Sequence, residues 1–158
     1  MRKRIITPVP QGAPAAEGDW LDLGSAAVVE VTSEDKAHPI EGALLPGEKR
    51  GWRADGSGAQ TIRILFDKPQ RLRRIWLVFE ETETARTQEF VLRWSPDQGQ
   101  SLREIVRQQW NFSPPQTVRE IEDYTVALAD VTVLELVVVP DKSGGQSHAS
   151  LDSLRLSA

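Results

Sequence analysis

The chain has 158 residues and a net charge of −4 at neutral pH. That length suits one domain with its own core, and the acidic balance argues against nucleic acid as the main partner, because phosphate recognition needs a basic surface. There is no cysteine, which excludes disulfides, thiolate metal sites and a cysteine nucleophile.

No apolar run approaches the roughly 18 residues of a membrane-spanning helix, so no membrane span is expected. The start, Met1-Arg2-Lys3-Arg4, is basic, but Pro8, Pro10, Gly12 and Pro14 follow where a signal peptide would be apolar. The expected location is therefore cytoplasmic. Residues 1–19, rich in Pro, Ala, Gly and Gln, read as a flexible N-terminal arm, either a mobile lead-in or a segment packed across the domain. Residues 20–158 read as the domain itself.

From Ala27 the pattern is that of strands. Ala27 to Thr32 is β-branched and is broken by Ser33-Glu34-Asp35-Lys36. Thr61 to Phe66 alternates, with Ile62, Ile64 and Phe66 on one face. Asp67-Lys68-Pro69-Gln70 reads as a turn. Arg74 to Glu80 then places Ile75, Leu77 and Phe79 inward, and Glu89 to Ser95 places Phe90, Leu92 and Trp94 inward. Tyr124, Val126 and Leu128 alternate. Val133 to Val139 is nearly all apolar and reads as a central strand buried on both faces. Leu151, Leu154 and Leu156 close the chain. Residues 101–109 are ambiguous: Ser101 to Glu104 fits a helix capping box, whereas Val106, Gln108 and Trp110 would share one face of a strand. Strands on both sides favour the strand. Many short strands separated by turn signals such as Pro96-Asp97, Pro114-Pro115 and Gly144-Gly145 define an all-β sandwich or barrel.

No catalytic constellation emerges. The two histidines, His38 and His148, lack a nucleophile elbow with which to form a serine triad. With cysteine absent and these histidines far apart, no zinc spacing exists. Gly56-Ser57-Gly58 lacks the lysine and helix of a phosphate loop. Glu80-Glu81-Thr82-Glu83 is a carboxylate run, but between two strands it reads as a solvated loop rather than a glycosidase pair. The expectation is a protein that is not an enzyme.

Five tryptophans stand against one tyrosine. Trp94 shares the apolar face of its strand and reads as core. Trp76 points opposite to Ile75 and Leu77, so it packs under a loop or the arm. Trp52, in Arg50-Gly51-Trp52-Arg53, and Trp110, in Gln108-Gln109-Trp110-Asn111, sit among polar groups. An indole so placed either plugs the end of the sandwich or stacks on a sugar whose hydroxyls bond to its neighbours. His38, before Pro39, is either a loop residue that fixes a turn or a ligand contact at the sandwich end. The candidate ligand-binding residues are His38, Trp52 and Arg53, with Arg107 and Trp110 as a second cluster.

Three stretches together carry a resemblance. Ala37-His38-Pro39-Ile40-Glu41-Gly42-Ala43-Leu44 followed by Gly51-Trp52-Arg53, then Ser95-Pro96-Asp97-Gln98-Gly99 between two strands, then Ala149 to Leu156, resemble discoidin-like domains over about residues 24–157. These are also called coagulation-factor type C or galactose-binding-like domains. The resemblance implies an eight-stranded jelly-roll β-sandwich, usually non-enzymatic, that binds glycans, lipid head groups or proteins through loops at one end. It also implies a structural calcium ion in many members, held by an Asp-Gly pair after the Ala-Leu segment and a Glu in the last strand. Leu45, Pro46 and Ser153 stand at those positions here, and Pro46-Gly47-Glu48 offers little for an ion that wants six to eight oxygens. No cofactor is expected. Two functions follow: a carbohydrate-binding module, resting on the resemblance and the tryptophans, or a protein-interaction domain using the same loops. The partner is a carbohydrate or a protein ligand.

Overall fold

The computed structural model describes residues 20–48 and 50–158. The expected arm, residues 1–19, lies outside the described residues. Among the described residues eight strands run in order: β1 (Ala27–Val31), β2 (Trp52–Ser57), β3 (Gln60–Glu80), β4 (Arg86–Ser95), β5 (Arg103–Phe112), β6 (Arg119–Val139), β7 (His148–Leu151) and β8 (Ser153–Ser157). Two one-turn helices, α1 (Leu23–Ala26) and α2 (Glu41–Leu44), precede β1 and β2. Among the described residues no helix is long and apolar enough to cross a membrane.

β3 and β6 form one antiparallel ribbon of 21 residues a strand, and it serves both layers. Its first part, Gln60–Leu65 against Val133–Val138, sits in the sheet ordered β1-β3-β6-β4-β5. Its other part, Arg74–Glu80 against Arg119–Thr125, carries β8 on its far edge. Between them the register shifts three times, from Leu65 to Arg74, and Asp130 takes a positive φ of 58°. The expected turn at Asp67–Gln70 is thus a bend within a continuing strand. Pro69 lacks an N–H and falls in the interrupted stretch of the ladder, where a strand tolerates proline.

The alternation drives the core. Ile62, Ile64 and Phe66 join Ile75, Leu77 and Phe79 from the two parts of β3 with Phe90, Leu92, Leu134, Leu136, Leu154 and Leu156. On the opposite face of β3 the Trp76 ring stacks on Trp20, 6.2 Å between centroids, with the Arg74 guanidinium 5.1 Å from the Trp20 ring. Leu21 N–H donates to the Leu156 carbonyl at 2.8 Å, so the entering chain extends along β8 and covers Trp76.

Residues 103–112 form strand β5. Leu102, which a helical reading would bury, is exposed. The central strand Val133–Val139 is buried on both faces in different ways. Leu134, Leu136 and Val138 face the core. On the other face Glu135, 2% exposed, lies between Arg63 at 2.7 Å and Arg93 at 3.5 Å. It belongs to a cross-strand row of alternating charge, Glu30, Arg63, Glu135, Arg93 and Glu104. Opposite charges directly across strands stabilise a sheet face, so this face needs no second apolar layer.

Candidate functional site

The β2–β7 ribbon and the connections 32–51, 81–85 and 140–147 meet at one end of the sandwich. Trp52 pairs with Leu151 and Arg53 with Ser150. The Arg53 amide donates to the His38 carbonyl at 3.1 Å, and the Asp35 amide donates to the Arg53 carbonyl at 2.8 Å. Arg53 is therefore held on both sides by backbone. Helix α2 lies so close to Gly51 that a Cβ on Gly42 would come within 2.6 Å of the Gly51 carbonyl oxygen. Gly51 itself has a φ of 69°, a conformation glycine adopts without strain.

These loops enclose a polar cavity of about 440 Å³, lined among others by His38, Arg50, Arg53, Glu81, Glu83 and Asp152. Arg53, Glu81 and Glu83 also line an adjoining groove of about 320 Å³ with Gln146 and His148. The His148 ring nitrogen Nδ1 lies 2.9 Å from the Ala54 carbonyl oxygen. His38 Nδ1 is shielded from solvent and has no hydrogen-bond partner among the described residues.

The structure thus unites His38 and Arg53. Trp52 borders the same cavity, but its side chain is 1% exposed and Nε1 donates to the Ser33 carbonyl at 3.0 Å. Trp52 plugs the sandwich end and offers no ring to a ligand. Arg107 and Trp110 do not form a cluster. Arg107 stands opposite Val91 on the outer face, bound to Glu89 at 2.8 Å and Glu104 at 3.0 Å. Trp110 stands beside Gln88 on the inner face, packed against the core.

The carboxylate run Glu80–Glu83 is not uniformly solvated. Arg86 Nε donates to Glu81 Oε1 at 2.7 Å, while Glu81 Oε2 accepts the Glu83 amide at 3.1 Å. Burial pushes the Glu81 carboxyl up, but the Arg86 bond and the backbone amides outweigh it and hold the group below the usual carboxylate range. Arg86 is the strut. Its side chain is 1% exposed, lies 4.8 Å over the Phe112 ring, and also donates to the Pro140 carbonyl at 2.7 Å and to Gln88 Oε1 at 3.1 Å. Behind it Gln88 Nε2 donates to Glu120 Oε1 at 3.1 Å. Burial, and then the neighbouring Glu122, push the Glu120 carboxyl up to about 9.

Beside the segment where the resemblance places calcium ligands, a guanidinium meets the backbone. Arg155 Nη1 donates to the Ala43 carbonyl at 2.7 Å, and Nη2 reaches the Leu45 carbonyl at 3.4 Å. Among the described residues no group of three or more His, Asp or Glu side chains is arranged to hold a metal ion. Leu45, Pro46 and Ser153, at the positions the resemblance gives to calcium ligands, offer no side-chain carboxylate, and the Leu45 carbonyl faces Arg155.

This architecture is the discoidin-like, galactose-binding-like jelly roll. No family model matches the sequence, and no curated protein matches it; the likeness is carried by solved structures. A family 32 carbohydrate-binding module from Clostridium perfringens, in complex with GalNAc-β-1,3-galactose, superposes with a TM-score of 0.64 at 18% identity, over 88% of this chain and 99% of that one. Another such module, from a family 31 glycoside hydrolase of the same organism, gives 0.65 at 16% identity over 92% and 99%. A structure of reduced XRCC1 bound to the DNA polymerase β catalytic domain gives 0.57 at 14% identity over 84% and 95%.

Sequence reasoning missed Arg50, Glu83 and Asp152 in the cavity and Arg86 behind it. Only Arg86 left a local signal, its spacing of five residues from Glu81 across a tight strand connection.

Proposed function

We propose that this chain is a non-catalytic glycan-binding module whose ligand enters the cavity between His38, Arg53, Glu83 and Asp152. The observation that carries this is a polar loop-end cavity, built on strand-anchored Arg53, in a fold shared with a module solved in complex with a disaccharide. Sugar recognition uses fixed donors and acceptors converging on ring hydroxyls, and this cavity supplies both. Arg53→Ala and Asp152→Asn are expected to keep the melting temperature within a few degrees, because both side chains lie outside the core. They should abolish the signals that the unaltered chain gives on a glycan array. Unchanged array signals in both variants would remove the cavity from consideration.

A second reading, protein interaction through the same loops, is favoured by the likeness to XRCC1 in a protein complex. It predicts a silent array and a partner whose capture is lost in the same two variants.

The module is proposed to need no structural calcium, because Arg155 supplies positive charge to the Ala43 and Leu45 carbonyls at the C-terminal end of α2. Excess chelator or added calcium is expected to leave the melting temperature unchanged, while Arg155→Ala lowers it by several degrees, a loss of about 1–3 kcal/mol from the orphaned carbonyls. A clear rise in melting temperature on calcium addition would overturn this.

A further inference from the structure

The sheet ordered β1-β3-β6-β4-β5 ends differently on its two sides. β1 is 5 residues long, whereas β5 runs 10 residues, from Arg103 to Phe112. Among the described residues only β4 pairs with the β5 backbone. That ladder is unbroken from Val106 opposite Leu92 to Phe112 opposite Arg86, and its register shift falls beyond, between Leu92 and Arg93. β5 contains neither proline nor lysine, residues that commonly blunt an exposed edge. A regular edge of this length presents a row of N–H and C=O groups with which another strand can pair.

The side chains on this edge are not those of a solvated rim. The inner row, Val106, Gln108 and Trp110, is half-buried, and the outer row, Arg107, Gln109 and Asn111, is exposed. From the other layer the Tyr124 ring meets Phe90 edge-on, 6.5 Å between centroids, and Phe90 is the cross-strand neighbour of Gln108. Tyr124 is itself half-buried. Apolar side chains of both layers therefore reach solvent on this side of the sandwich.

The strand that fits this edge is another β5. Residues opposite one another in an antiparallel pair face the same way, so two copies meet with inner row against inner row. About a two-fold axis through Gln108, Val106 lies opposite the partner's Trp110, a β-branched side chain against an aromatic one. Arg107 lies opposite the partner's Gln109, and Gln108 meets the partner's Gln108, two amides that each donate and accept. No like charges oppose one another. An axis through Arg107 would set two guanidinium groups face to face, and an axis through Gln109 would set Gln108 against the apolar Trp110.

We propose that the chain forms a two-fold dimer through β5, in which the two sheets continue into one across the antiparallel pair. Phe112 at the end of β5 lies opposite Arg86, which holds the cavity loop through Glu81. The axis therefore sends the two cavities to opposite ends of the dimer, where they can link two separate ligand molecules. The dimer itself does not depend on what the cavity binds.

Sedimentation equilibrium of the full chain from about 1 to about 200 µM is the first measurement. The upper concentrations are expected to show twice the 17.6 kDa of one chain. Gln108→Lys sets two ammonium groups face to face on the axis and is expected to weaken the dimer about tenfold or more. The chain has no cysteine, so one introduced thiol reports one place. Gln108→Cys is expected to give a disulfide-linked dimer on mild oxidation. Val28→Cys, exposed on β1 at the opposite edge, is expected to remain uncrosslinked. Should Gln108→Lys fail to fold, the thiol variants decide alone. A chain that is monomeric at about 200 µM overturns the proposal and leaves the β5 edge to a strand from another protein. A dimer in which Gln108→Cys does not cross-link overturns it as well, since the two copies then meet elsewhere.

Discussion

Trp52→Ala is expected to lower the stability of the domain by about 3–5 kcal/mol, the usual range for removing a fully buried aromatic. The indole is 1% exposed and closes the sandwich end beneath the cavity, against a core that includes Ile40, Ala43, Leu44 and Leu151. Its Nε1 satisfies the Ser33 carbonyl. Trp52→Phe separates the two contributions. It retains most of the ring volume and abandons the hydrogen bond, so its cost should be near 1–2 kcal/mol. Urea unfolding of the three proteins checks both values. A loss below about 1 kcal/mol for Trp52→Ala would mean that the ring is not the plug the structure describes. The folded fraction of Trp52→Phe should still bind whatever the unaltered chain binds, because the indole is buried beneath the cavity rather than exposed to it.

The jelly roll was legible because its strands alternate. Ile62, Ile64 and Phe66, then Ile75, Leu77 and Phe79, announce one buried face with a period of two, and the turn residues between strands mark where chains reverse. Two elements escaped this reading for definable reasons. Strand β2 alternates Trp52 and Ala54 inward with Arg53 and Asp55 outward, but it is short and runs into Gly56, so it resembles a loop. The Asp67–Gln70 bend has turn composition, yet the ribbon resumes its pairing beyond it. Had β2 been recognised, its alternation alone would have turned Trp52 into the core and Arg53 toward solvent.

The site was less legible, since a charge is available for binding only if nothing else in the fold claims it. Glu81 is claimed five residues away by Arg86, Glu80 by Arg119 and the Ala43 carbonyl by Arg155. The Glu80–Arg119 pair follows from the register of β3 against β6, and the other two from how a connection and helix α2 pack, none of which composition discloses. Arg107 illustrates the point: it looked like a donor beside Trp110, but neighbours three apart on a strand face opposite ways.

The buried polar chain behind the cavity leads to the second large effect. Glu120 is 0% exposed, accepts from Gln88, and stands near Glu122, whose Oε2 accepts the Tyr124 hydroxyl at 2.8 Å. Burial and the adjacent carboxylate raise Glu120 to about 9 from its ordinary 4.5, so the folded pair holds a proton across the neutral range. Unfolding releases that proton wherever the pH lies between those two values. Stability is therefore fully present below about 4.5 and is lost as pH rises toward 9, by up to about 1.4 kcal/mol per pH unit. The carboxylates held low, Glu81, Glu89, Asp97 and Asp141, act in the opposite sense and only in acid, so they leave the window from pH 5 to 8 to the buried pair. Glu120→Gln keeps an oxygen for Gln88, offers an N–H to Glu122, and removes the titration. The variant is expected to match the unaltered domain near pH 5 and to exceed it by about 2–4 kcal/mol at pH 8. Urea unfolding at pH 5, 6.5 and 8 on both proteins gives the answer as the difference between two curves, in which every other titrating group cancels. A constant difference across that range would show that Glu120 is ionised in the folded domain, compensated by Arg86.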